Sequence, residues 1–249
     1  MFLDRERYVE LKEWNKFGIS AIYTKKNYGN IKEMSKEKIL KDFSLEGKYI
    51  VSGFQTHSDN IVVVDSLEKL YFEDTDGFIT NRKDIVILTK YADCLPIYFF
   101  DEKKEIIGTV HSGWQGSYKE IGKKAIKLMI DTYGCNLGDI RVAFGIGISQ
   151  KNYEVGEEFL QKFKEKFSKE LIEKSFKNEN GKIYFDNQEF VYRNLLELGL
   201  LKENIVLNKL CTYEGEFHSY RRDREKSGRN GLIFTRVKKI KKIFVKLLT

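Results

Sequence analysis

Apolar residues along the chain gather into short runs rich in Ile, Val, Phe and Tyr, each bounded by Asp, Gly or Asn. This pattern predicts strands at Tyr49–Phe54, Ile61–Asp65, Ile85–Thr89, Ile97–Phe100, Ile106–His111, Val142–Ile148 and Leu232–Val237. Helical spacing lies between them. A capping-box pattern, Ser117-x-x-Glu120, opens a stretch with Ile121, Ala125, Leu128 and Met129 on one stripe. Val155, Phe159, Phe163 and Phe167 recur at every fourth position, and Asp186-x-x-Glu189 marks another helix start before Phe190, Val191, Asn194, Leu195 and Leu198. Strands and helices mix without strict βαβ alternation, which points to an α+β or layered α/β design. No repeat, Gly/Ser linker or Pro-rich stretch divides the sequence, so residues 1–249 read as one domain. The end of the chain sets Ile240, Ile243, Phe244, Leu247 and Leu248 on one helical face with Lys opposite. Such a helix can lie on a membrane, but a terminal helix docked on the core has the same stripe and is the favoured reading.

Composition narrows the classes. Of 249 residues, 41% are hydrophobic and 14% aromatic, enough for a core, which excludes wholesale disorder. No apolar run reaches the roughly 18–20 residues of a membrane span. The first 13 residues hold four acids and no apolar core of a signal peptide, so a soluble, non-secreted protein is expected. The formal charge is +7, from 44 basic and 37 acidic side chains. Lys alternates with Glu, as in residues 32–42 and 163–174, which reads as solvated helix surface; with no nucleic-acid module motif, nucleic acid is not an expected partner. Three cysteines are too few and too odd for a disulfide framework and fit a reducing cytoplasm. Any imidazole chemistry must draw on His57, His111 and His218.

Three stretches carry candidate chemistry: QTHSDN around His57, TKYADCLPIYFFD around Cys94, and GTVHSGWQGS around His111. Each places its ligand-type residue where a strand ends or breaks, a common position for functional groups. Two imidazoles and one thiolate make a competent set for a divalent metal with an open position. The structural alternative is that Cys94 packs, His57 caps a turn and His111 bonds a carbonyl. Asp93, beside Cys94 and ahead of Pro96, reads either as an orienter or proton carrier or as a turn-stabilising acid. The HSGWQGS loop offers Ser112 and backbone N–H groups to an anion, or is a plain strand-to-helix turn. Tyr220, Arg221, Arg222, Arg224 and Arg229 suit a phosphate and a stacked base, or form a charged surface hairpin.

Taken together, A-D-C-L-P, H-S-G-W-Q-G and S-Y-R-R-D…G-R resemble the YfiH-type purine nucleoside phosphorylase family, formerly described as laccase-domain or multicopper polyphenol oxidase proteins. The resemblance runs from about His57 to Arg229 and includes Gly145–Gly156 and Cys211–Tyr213; the first 50 residues lie outside it. It implies an α+β, single-domain, layered α-β-β-α fold with zinc held by His57, Cys94 and His111. It also implies phosphorolysis of adenosine, inosine, guanosine and methylthioadenosine, with adenosine deamination as a second activity. Asp93 and Cys94 would be catalytic, and Ser112, Arg221, Arg222 and Arg229 would hold substrate or phosphate. Purine nucleosides and inorganic phosphate are then the partners, and a homodimer is an allowed assembly. Two departures stand out: Gln115 where the family has a basic residue, and Lys25 or Lys26 in place of an N-terminal Arg.

Other readings stay open on the residues. Three histidines cannot ligate a multicopper cluster, but a lone copper in a His2Cys site could oxidise phenols. Without metal, Cys94 and His111 could act as the nucleophile and base of a cysteine hydrolase. A non-enzymatic basic adaptor would use its C-terminal helix for docking.

Overall fold

The computed structural model describes residues 2–238, and the amphipathic stripe of residues 240–248 lies outside them. Two sheets lie face to face, with helices on both outer faces. The first sheet has seven strands in the order Phe2–Asp4, Tyr8–Leu11, Ile19–Thr24, Asn230–Arg236, Ile85–Tyr91, Tyr49–Gly53, Tyr71–Phe72. The second has six: Ile205–Val206, Ile140–Phe144, Leu95–Asp101, Ile106–Ser112, Gly77–Thr80, Ile61–Val63. Glu154–Val155, Lys182–Phe185 and Phe176–Glu179 form a small third sheet.

Side-chain alternation explains the layers. A strand sends successive side chains to opposite faces, and here both faces are covered. Ile85 and Ile87 meet Tyr98, Phe100 and Ile107 between the sheets. Val86 and Leu88 face outward onto Tyr28, Ile31, Ile39 and Leu45, of which Ile39 lies in the helix Lys36–Asp42. In the second sheet Ile97 and Phe99 turn away from Tyr98 and Phe100 to meet Ile121, Ala125 and Met129 of the helix Ile121–Tyr133, with Phe190 and Leu195 of the helix Asn187–Glu197. Each such fully buried large side chain contributes roughly 1.5–3 kcal/mol. The α-β-β-α expectation holds. Among the described residues, no helix is long and apolar enough to cross a membrane.

Several local expectations need correction. Ser117 does not cap a helix: it lies within the short helix Trp114–Tyr118, and its buried hydroxyl donates to Asn187 Oδ1 at 2.6 Å. The long helix starts after Glu120, which takes a left-handed φ of 60°. Val155 belongs to a strand, and only Phe159 and Phe163 of its predicted stripe lie in the helix Glu157–Lys164. The strand predicted to reach Ile148 ends at Phe144. Asp186 does cap its helix, accepting from the Glu189 N–H at 2.9 Å. The strands Phe2–Asp4 and Tyr8–Leu11 were not expected because an acid sits within each short apolar run, and Ile19–Thr24, which carries no charge, was not expected either.

Candidate active site at the seam of two sheets

Strand register brings the distant ligand-type residues together. The chain passes from the first sheet to the second at 92–94, between the strands Ile85–Tyr91 and Leu95–Asp101. Ser112 pairs with Leu95 and His111 with Pro96, so Cys94 and Gly113 meet just past the last pair. A Cβ on Gly113 would lie 2.9 Å from His57 Cδ2 and 3.0 Å from Cys94 Sγ, so the backbone must approach the side chains bare. His57 stands on the loop between Tyr49–Gly53 of the first sheet and Ile61–Val63 of the second. The nitrogen and sulfur ligand atoms of His57, Cys94 and His111 lie within 4.8 Å of one another. Cys94 Sγ is 3.7 Å from His57 Nε2.

Asp76 organises this group. Gly77 pairs with Val110, which sets Asp76 beside His111. Its Oδ1 accepts from His111 Nδ1 at 2.7 Å and from the His57 N–H at 3.2 Å. Its Oδ2 accepts from Ser58 Oγ at 2.7 Å, the Ser58 N–H at 2.8 Å and the Thr56 N–H at 3.1 Å. One fully buried carboxylate therefore orients the His111 ring and shapes the loop that carries His57, whose φ is 62°. Burial pushes the Asp76 carboxyl up, but hydrogen bonds from His111 and Ser58 prevail and hold it at about 2. For Cys94, the charge and hydrogen bond of His111, then His57, outweigh burial and lower the thiol to about 6. Against the same burial, the Cys94 thiolate and Asp76 raise His111 to about 9. Thiolate and imidazolium are stable neighbours here, and a divalent cation can take the place of the shared proton. With Nδ1 committed to Asp76, His111 presents Nε2, as expected of an imidazole ligand with a carboxylate behind it. The donor set fits a metal ion such as zinc with one open position.

Two adjoining cavities open on this group. The larger, about 540 Å³, is lined by His57, Cys94 and His111 together with Lys32, Lys90 and Arg229. Phe54 and Tyr220, 57% and 40% exposed, also line it. The smaller, about 140 Å³, lies between Cys94, Asp93, Trp114, Tyr153 and Arg221. Arg221 is held by its Nη1 donating to Glu154 O at 2.8 Å and by its guanidinium 5.2 Å above the Tyr153 ring.

Asp93 lines the smaller cavity, but not every candidate side chain is free to meet a ligand. Both Asp93 oxygens are occupied, accepting from Thr212 Oγ1 and the Arg221 N–H, each at 2.6 Å. Ser112 is fully buried with its hydroxyl 2.8 Å from Ser117 Oγ, so it has no donor for an anion. Arg222 also departs from expectation: its guanidinium donates to the carbonyls of Thr212, Tyr213 and Phe217 and pairs with Asp223, stitching the loop rather than a ligand. His218 is buried against Gly228 and Gly29, apart from the other two histidines. Lys25 is committed to Asp4 and Glu216. Asp76, Lys32 and Lys90 were not anticipated. Asp76 had a faint signal, an acid immediately before the strand Gly77–Thr80, but only pairing with the His111 strand gives it meaning.

Comparisons with known proteins agree with this architecture. A purine nucleoside phosphorylase of Borreliella burgdorferi is 39% identical over 225 residues, covering 90% of this chain and 94% of that protein. The purine nucleoside phosphorylase YlmD of Bacillus subtilis is 34% identical over 161 residues, 62% of this chain and 56% of its own. Among solved structures, YlmD from Geobacillus stearothermophilus superposes with a TM-score of 0.85 at 21% identity, covering 95% of this chain and 98% of that one. The Bacillus licheniformis protein YfiH gives 0.84 at 24% identity over 94% and 98% of the two chains. The match also takes in the N-terminal strands, which the motif resemblance had left out. With residues 2–236 matching its family model, the chain belongs to the family described as multi-copper polyphenol oxidoreductase laccase.

Proposed function

We propose that this protein is a zinc-dependent purine nucleoside phosphorylase that converts adenosine, inosine, guanosine and methylthioadenosine to free base and pentose 1-phosphate, with adenosine deamination as a second activity. The relatives named purine nucleoside phosphorylase support an enzyme of this type. The observation that carries the reading is the His57–Cys94–His111 group lining a cavity that is also walled by aromatic and cationic side chains.

In phosphorolysis a phosphate oxygen bonds to the anomeric carbon as the bond from that carbon to the purine nitrogen breaks, and the electron pair leaves with the base. A bound zinc would be held by His57, Cys94 and His111 and would supply Lewis acidity and, in deamination, an activated water. The chain's own residues bind and orient. Phe54 and Tyr220 offer ring faces to a purine. Arg229 in the larger cavity and Arg221 in the smaller bring positive charge to the two cavities that Cys94 borders, which favours an anionic reactant there. Asp93 is a positioning residue in this reading: with both oxygens committed, it fixes the backbone of Arg221 and the Thr212 side chain instead of carrying a proton.

The family description favours a second reading, phenol oxidation by copper. Of the three histidines only His57 and His111 converge, which leaves room for one copper and not a cluster. Metal analysis of the purified protein, with product chromatography on adenosine plus phosphate for wild type and Cys94→Ala, separates these. Zinc, with adenine and ribose 1-phosphate formed only by wild type, is the expected result. Inosine adds deamination, and a coloured copper protein that makes neither product would replace the proposal.

A further inference from the structure

His218 takes no part in the metal group, yet it stands behind residues that line the larger cavity. It is 7% exposed, and one amide clamps its backbone: its N–H donates to Asn230 Oδ1 and its carbonyl accepts from Asn230 Nδ2, each at 2.9 Å. The ring fills a slot between two turns. On one side Nε2 lies 3.4 Å from the Gly29 carbonyl oxygen. On the other, a Cβ on Gly228 would lie 2.5 Å from Cε1 and 2.8 Å from Nδ1, so that turn closes on the ring only because the position is glycine. The same two turns are joined beyond the ring. The Arg229 N–H donates to Asn30 Oδ1 at 2.9 Å, and the Ile31 N–H donates to the Arg229 carbonyl at 3.0 Å. Arg229 Nη1 donates back to the Ser227 and Gly228 carbonyls, each at 3.0 Å, so this turn sets the direction of its guanidinium. Lys32 and Arg229, carried by the joined turns, both line the cavity.

The slot suits a neutral imidazole. With Nε2 toward a carbonyl, that nitrogen carries the hydrogen, and Nδ1 is buried with no hydrogen-bond partner among the described residues. A second proton would place a charged N–H at Nδ1 with nothing to accept it, which is far less favourable than an unfilled lone pair. Burial holds the imidazole below its usual pKa; Lys26 and Arg222 act the same way, and the Gly29 carbonyl and Asp223 oppose them. Asp223 is itself paired with Arg222 at 2.7 Å and with Lys26 at 3.7 Å. On the flanking elements Lys25 pairs with Asp4 and Glu216, Tyr28 donates to Asp42, and Glu225 accepts from the Tyr220 hydroxyl. Arg224 and Lys226 are exposed.

We propose that His218 is a positioning residue of the cavity wall that works only while neutral: it wedges the turn 227–229 against the turn 29–31, and proton uptake expels the ring and loosens both. The closed arrangement is at full strength above about pH 6.5, the value of an imidazole in water, and weakens as pH falls below it. At pH 5.5 the open form gains about tenfold over the closed one. The consequence for substrate rests on the nucleoside reading; the loosening of the turns does not.

The test uses the purified zinc-loaded protein and NMR. The His218 ring resonances give the pH of proton uptake. Exchange protection of the Arg229 and Ile31 amides, referenced to the strand Ile85–Tyr91, reports the joint between the turns. In wild type the ring is expected to titrate below about 6.5, and protection falls about tenfold between about pH 8 and 5.5. His218→Phe keeps a ring in the slot with no proton to gain, and its protection stays flat over that range. Should the phenyl ring not fit, His218→Asn empties the slot and gives low protection at both pH values. Unchanged protection in wild type, an equal fall in His218→Phe, full protection in His218→Asn, or a ring midpoint at or above that of free imidazole overturns the proposal. Adenosine turnover is a separate arm: below the ring's midpoint KM rises more in wild type than in His218→Phe. Protection that falls with pH in a protein without turnover upholds the positioning role and rejects the phosphorylase reading. Turnover with protection indifferent to pH rejects the positioning role alone.

Discussion

Asp76 Oδ1 and His111 Nδ1 lie 2.7 Å apart, both fully or nearly fully buried, and the same carboxylate binds the turn that bears His57. Two of the three metal-ligating candidates thus take their orientation from one residue that is not a ligand. Asp76→Asn keeps the shape but offers one acceptor oxygen and an unwanted donor. Metal affinity is expected to fall about 10–100-fold, measured by competition with a chelating dye, while circular dichroism remains native. An unchanged affinity would show that the imidazoles are held by packing alone.

Gly113→Ala tests the close approach at the seam. The added methyl would sit 2.9–3.0 Å from His57 and Cys94, closer than such contacts allow. Loss of metal and of turnover is expected, with little change in thermal midpoint because Gly113 precedes only a five-residue helix. Retention of full metal occupancy would mean that the turn yields more easily than its geometry suggests.

Arg222→Gln separates a structural from a ligand-binding arginine. Loss of charge-assisted bonds to three carbonyls should lower stability by about 2 kcal/mol, seen as a reduced urea midpoint. Phosphate KM in the folded enzyme should stay within twofold. Arg221→Gln is expected to show the reverse: nearly full stability with substrate kinetics impaired. If Arg222→Gln raised phosphate KM and left stability intact, the two roles would have to be exchanged.

Thiol chemistry supplies a readout independent of turnover. Burial, then the nearby Asp101 carboxylate, pushes the Cys135 thiol up to about 12, so it should resist iodoacetamide. Cys94 borders both cavities and should label after chelation, with added zinc protecting it. Mass mapping of the modified peptide reads both. Labelling of Cys94 that zinc does not slow would revive the cysteine-hydrolase reading.

Much of this architecture was legible in the residue pattern. Ile85 to Leu88 and Ile97 to Phe100 alternate between two apolar environments, and that alone places a sheet between two layers. His57, Cys94 and His111 were visible because each interrupts or terminates such a run. The partners that make them a site were not, because Asp76 acquires its role from pairing with a strand over 30 residues away. Lys32 and Lys90 carried no signal among 44 basic residues, since their place in the cavity wall exists only in three dimensions. Arg222 and Ser112 mislead for the same reason: residue type suggests an anion contact, but the hydrogen bonds are spent internally. Ser117 shows the local version, its capping potential claimed by Asn187, which is 70 positions distant in the chain.

The passage at 92–94 has a mechanical consequence. Cys94 leaves one sheet for the other, His57 sits on a second such passage, and His111 belongs wholly to the second sheet. An ion gripped by all three is a rivet through the sandwich, and its bite angle becomes a gauge of how the sheets are tilted. Repacking Tyr98 or Phe234, at 5.2 Å the facing rings between the sheets, would then be felt as a change in ligand geometry without altering a single ligand.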